Sequence, residues 1–129
     1  MQRWRSESGA AAVEFALVVP LLVTLVFGIT DFSSVYSSQA SLSAAARQGA
    51  RVMALQNSTS AAVTATLAAA PTLKPALTSA QVTVSPATCT TGANATVTIT
   101  YPLTSVSGFF TKLFKSKSLT GKAVMRCSG

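Results

Sequence analysis

Gly9-Ala-Ala-Ala-Val-Glu-Phe-Ala-Leu-Val-Val-Pro-Leu-Leu-Val-Thr-Leu-Val-Phe-Gly-Ile29 is apolar from Ala10 onward except at Glu14 and Thr24. An α-helix that crosses the hydrocarbon of a bilayer needs about 20 such residues, and this run just reaches that length. Arg3 and Arg5 precede it, Asp31 follows it, and the next basic residue is Arg47. Basic flanks stay in the cytoplasm, so the chain beyond Ile29 is expected on the outer side.

Glu14 sets this run apart from a plain anchor. A carboxylate in an apolar span costs about 2.5–3.5 kcal/mol at mid-membrane and less near an end. One reading has Glu14, one turn inside the span, reaching up to the head groups. The other counts from Gly9: if the chain is cut there, Ala10 becomes the first residue and Glu14 the fifth. In a bundle of identical helices, the Ala10 amine of one subunit would then neutralise Glu14 of its neighbour. Ala12 and Ala16 form a small-xxx-small pair that allows close helix contact. Pro20 sits mid-span and is expected to kink the helix, which membrane helices tolerate when neighbours satisfy the freed carbonyl.

Residues 9–54 resemble the TadE-like family of the bacterial tight-adherence (Tad) pilus. The matching residues are Gly9, Val13-Glu14-Phe15-Ala16-Leu17, Val19-Pro20-Leu21-Leu22, Phe27-Gly28, Asp31-Phe32 and Ala44-Ala45-Ala46-Arg47-Gln48-Gly49-Ala50-Arg51. The resemblance implies a pseudopilin-like subunit of the bacterial inner membrane, cut after Gly9 by a prepilin peptidase. It also implies partners among the other pilin or pseudopilin subunits and the Tad assembly machinery. The major Tad pilins are much shorter and carry Glu-Tyr where this chain has Glu14-Phe15, which points to a minor subunit. The C-terminal half matches only loosely, at Leu119–Cys127.

Lys and Arg total 10 against 3 Asp and Glu, with no His, and the 129 residues suffice for one domain plus an anchor. The three acids are Glu7, Glu14 and Asp31, so everything after Asp31 is neutral or basic. That asymmetry suits an anionic partner such as head groups, an envelope polymer or an acidic subunit. Nucleic acid is not expected, because the cations are sparse and one Trp and two Tyr leave little to stack on bases. No general acid–base pair can be assembled outside the membrane, and two Cys alone make no metal site. The chain therefore reads as a non-enzyme without cofactor or metal. Thr120-Gly-Lys-Ala123 lacks the upstream Gly and final hydroxyl of a phosphate loop. An ordinary secretory signal fits poorly: the apolar core is too long, holds Glu14, and no A-x-A-like site follows Ile29.

Residues 1–9 form a basic leader, 10–29 the span, and 30–56 its outer continuation. Positions 28, 32, 35, 39, 42, 46, 49 and 53 read Gly, Phe, Val, Gln, Leu, Ala, Gly, Met, a stripe at three-four spacing that predicts helix to Leu55. Arg47 and Arg51 fall off the stripe, one turn apart. They are either a solvated face or a contact for an acidic neighbour or head groups. Residues 57–79 comprise N-cap candidates at Asn57–Ser60, a short helix at Ala61–Ala70 ended by Pro71, and a linker at Thr72–Ser79. The sequons at Asn57 and Asn94 read as accidents of a Ser/Thr-rich chain.

Residues 80–129 predict a small disulfide-linked β domain. Gln81–Ser85, Asn94–Tyr101 and Leu119–Cys127 alternate as strands, most simply an antiparallel meander with one face on the outer half of the long helix. That topology brings Cys89 and Cys127 to the same end of the sheet. A disulfide is feasible there and suits an oxidising location; the alternative is two buried free thiols. Between strands two and three, Val106, Phe109, Phe110, Leu113 and Phe114 follow helical spacing beside Lys112, Lys115 and Lys117. This predicts a short basic amphipathic helix that either caps the core or docks on the membrane or a partner.

The fold expected is thus α+β and lollipop-shaped, a single-pass membrane protein with its N-terminus cytoplasmic and its C-terminal domain periplasmic. The function expected is a minor pseudopilin that supports pilus biogenesis and adhesion. A reading from another class is an uncleaved anchored protein whose basic outer domain binds an anionic envelope polymer.

Overall fold

The computed structural model describes residues 4–108, 112–113 and 117–128, with side chains from Glu7 onward. Helix α1 spans Trp4–Gln56, 53 residues without interruption at Pro20 or at the Gly9–Ala10 step. At 1.5 Å per residue it is about 80 Å long. The hydroxyls within its apolar run turn inward: Thr24 donates to the Pro20 carbonyl at 2.8 Å, and Thr30 to Phe27 at 3.0 Å. A hydroxyl bonded back to its own helix needs no outside partner.

Asn57 ends α1. Its φ is +47°, the left-handed conformation that closes many helices, and its N–H bonds the Met53 carbonyl at 3.0 Å. Ser58 then caps α2 (Thr59–Ala68), accepting from the Ala61 N–H at 3.3 Å. Helix α2 returns along α1 toward the anchor. Strands β1 (Val82–Ser85), β2 (Asn94–Pro102) and β3 (Ser118–Arg126) form an antiparallel sheet in the order β1-β2-β3, the meander expected. Val82 faces Ile99 across β1–β2, and Val97 faces Ala123 across β2–β3.

The core lies between α1, α2 and the inner face of the sheet. Leu42, Ala45, Ala46 and Ala50 of α1 meet Val97, Ile99, Tyr101 and Ala123, and a second cluster joins Met53 and Ala62 to Ala95 and Cys127. The expected stripe is buried at Leu42, Ala46, Gly49 and Met53. It departs at Phe32, which is 66 % exposed although the neighbouring Asp31 is fully buried. Gln39, the polar member of the stripe, donates from Nε2 to the Thr120 carbonyl at 2.8 Å.

Two glycines set how closely the layers approach. A Cβ at Gly49 would overlap the Thr66 hydroxyl of α2, which itself bonds the Ala62 carbonyl at 2.8 Å. A Cβ at Gly121 would stand 2.7 Å from the Leu42 carbonyl oxygen. The segment read as a linker, 72–79, is a working part of the core. Leu73 and Leu77 are buried in it, and the Pro75 carbonyl accepts the Tyr101 hydroxyl at 2.6 Å. Its irregular backbone lacks periodicity, so its two leucines carried no signal of burial.

Candidate membrane and assembly interface

Among the described residues, little packs on the first half of α1 before Thr24. From Val13 to Ile29 its large apolar side chains other than the half-buried Val19 are exposed, Phe15 at 71 % and Leu17 at 73 %. Such a surface is stable only against lipid or other apolar helices. The helix has the length and composition of one that crosses a membrane. Gly9, Ala10 and Glu14 lie on its exposed surface, Glu14 among exposed apolar side chains. The C-terminal half of α1 carries the head, the arrangement of a single-pass anchored stalk with a small α+β head.

The head is closed at its far end. Cys89 and Cys127 form a disulfide with a Cα–Cα distance of 5.7 Å. The same end is tied to the tip of α1, where the Asn57 side chain accepts the Cys89 N–H at 2.5 Å and Thr59 donates to the Ala87 carbonyl at 3.1 Å. The N–H of Cys127 bonds the Ala93 carbonyl at 2.8 Å, continuing the β2–β3 ladder into the bridge.

The near end holds a contact that sequence reading did not anticipate. Asp31, two residues past the span, is fully buried and accepts the Ser107 N–H at 2.9 Å. The Ser107 hydroxyl donates to its other oxygen. Beside this contact lies a groove of about 340 Å³ lined by Ser34, Ser37, Ser38, Ser41, Thr72, Leu73, Lys74 and residues 104–106. Within it the buried Ser105 hydroxyl has no hydrogen-bond partner among the described residues.

The basic candidates are not gathered into one patch. Arg47 and Arg51 are exposed one turn apart, beside the buried Ala46 and Ala50. Lys112 and Lys117 are exposed near the anchor end of the head; Lys115, with Phe109, Phe110 and Phe114, lies outside the described residues. Lys122 and Arg126 add two cations on the outer face of β3, opposite Thr98 and Asn94 of β2. Alternation along β3 was the signal that could have placed them there.

Residues 9–51, about a third of the chain, match the model of the TadE-like protein family. This bears out, over that segment, the resemblance read from its motifs. The matched segment takes in the exposed apolar half of α1 and most of the half that carries the head. It points to a protein associated with the Tad pilus. No curated protein and no solved structure matches the chain.

Proposed function

We propose that the chain is a structural subunit of a Tad-type pilus, a minor pseudopilin held in the bacterial inner membrane with its head on the outer side. A prepilin peptidase cuts after Gly9, and the new Ala10 amine neutralises Glu14 of the adjacent subunit. Neutralising a carboxylate in hydrocarbon removes most of its burial cost, so the pair sets the register of packed helices. The observation that carries this reading is the place of one carboxylate within the matched segment. The family match begins at Gly9, and Glu14 lies exposed on the lipid-like face of an unbroken helix. As part of the filament or its base, the subunit supports pilus biogenesis and surface adhesion.

The test is the intact mass and N-terminal sequence of the protein from membranes, with and without the peptidase. A peptidase-dependent start at Ala10 is expected, and a Met1 start under both conditions would overturn the reading. Glu14→Ala is expected to abolish assembly while leaving membrane insertion and the disulfide intact.

A further inference from the structure

The described residues that follow β2 reach along α1 to the level of the apolar run. Its lowest described part, Ser107, Gly108 and Lys112, faces Thr24 and Phe27 of α1 across a groove of about 350 Å³. Thr24 lies about 10 Å before Asp31 along the helix axis, well inside the apolar stretch. Gly108 turns the chain there with φ +74°, and its carbonyl accepts the Lys112 N–H at 3.2 Å. Just above, the surroundings change from apolar to hydroxyl-bearing, with Ser34, Ser37 and Ser38 of α1 in place of Phe27. The change falls at Asp31, whose carboxylate holds Ser107 by two hydrogen bonds.

At this boundary the loop exposes Val106 by 78 % and Leu113 by 63 %, with Lys112 and Lys117 also exposed. In water, two such apolar side chains gain nothing. At a bilayer surface, apolar groups enter the acyl boundary while lysine stems lie along it and carry their charge to the phosphates. The exposed apolar surface of α1 continues into the loop through Thr24 and Phe27, so lipid is the occupant already implied beside it.

We propose that the described parts of the β2–β3 loop, residues 106–108, 112–113 and 117, form a second, interfacial membrane contact. Val106 and Leu113 enter the head-group boundary, Lys112 and Lys117 meet lipid phosphates, and Asp31 fixes the depth. This rests on α1 being a membrane anchor but not on the pilus role.

The test uses the full chain in phosphatidylcholine vesicles, with and without phosphatidylglycerol and with no other pilus protein present. An environment-sensitive fluorophore is placed on Val106→Cys, Leu113→Cys, Ile29→Cys or Thr83→Cys, with the native disulfide closed, and is quenched by shallow spin-labelled lipid. Labels at 106 and 113 are expected to quench about as strongly as at 29, and roughly threefold or more above that at 83 on the outer sheet face. Lys112→Glu with Lys117→Glu is expected to reduce quenching at 106 in the anionic vesicles. Quenching at 106 and 113 no greater than at 83, with 29 still quenched, overturns the proposal while sparing the anchor. In a further arm with the other pilus proteins added, shielding of 106 that appears only on their addition also overturns it, in favour of a protein partner.

Discussion

The backbone of Gly121 in β3 lies directly against the backbone of Leu42 in α1, so close that a Cβ would come within 2.7 Å of the Leu42 carbonyl oxygen. The obstacle is main chain, and trimming a side chain cannot relieve it. Gly121→Ala is therefore expected to push β3 off the helix and cost about 1–3 kcal/mol, the usual range for overpacking. Thermal unfolding of the head in detergent micelles, followed by circular dichroism, checks this. An unchanged midpoint would mean that the two layers can slide apart freely.

Gly49 makes the opposite case, because its nearest obstacle is the Thr66 hydroxyl. Gly49→Ala alone is expected to destabilise the α1–α2 pair by about 1–3 kcal/mol. Adding Thr66→Ala removes the overlapping atom, so the double variant is expected to recover about half the loss or more, a coupling measurable by a double-mutant cycle. Strict additivity of the two single effects would show that they do not meet.

The Cys89–Cys127 bridge closes a loop with a sequence separation of 38. On the chain-entropy estimate this contributes about 4 kcal/mol. Replacing both cysteines by serine is expected to lower denaturant stability by a comparable amount. The variant is also expected to become insensitive to added reductant, whereas the native protein loses stability on reduction. Because the bridge joins the far end of the head, faster hydrogen exchange is expected first at Ala93, Ala95 and the residue at position 127.

Tyr101 gives the head an alkaline limit. Burial holds its phenol above the ordinary tyrosine range, partly offset by a hydrogen bond with Thr104. The folded state thus keeps a proton that the unfolded chain releases near pH 10. Stability from this group is full below that pH and falls as pH rises from there through the folded value. In a Tyr36→Phe background, the tyrosinate absorbance step is expected above that of a free tyrosine. Tyr101→Phe is expected to flatten that part of the alkaline loss, and to cost about 1 kcal/mol at neutral pH through the missing bond to the Pro75 carbonyl.

Regular elements were legible because their signals repeat. The apolar run, the three-four stripe beyond Val35 and the alternation in the three strands each recur several times, and the meander then placed the cysteines together. What escaped was non-repeating. Asp31 read as the polar end of a span, yet its burial depends on Ser107, 76 positions away in sequence. Leu73 and Leu77 sit in a segment with neither period, so only the finished fold reveals that they are core. The need for glycine at 49 and 121 is likewise a property of two surfaces meeting. Neither segment carries that information by itself.

Helix α1 serves both as anchor and as the floor of the head, with no break between the two halves. At 3.6 residues per turn, the azimuth of every residue in the span is locked to that of Leu42 and Met53. The chain is accordingly a key whose shank and bit share one continuous helix. Whatever grips the helix within the membrane also decides the direction in which the outer face of the sheet, with Lys122 and Arg126, is turned. Inserting one residue between Ile29 and Asp31 would rotate the head by about 100° about its own stalk, keeping its core but carrying Ser107 and Lys112 away from Thr24 and Phe27.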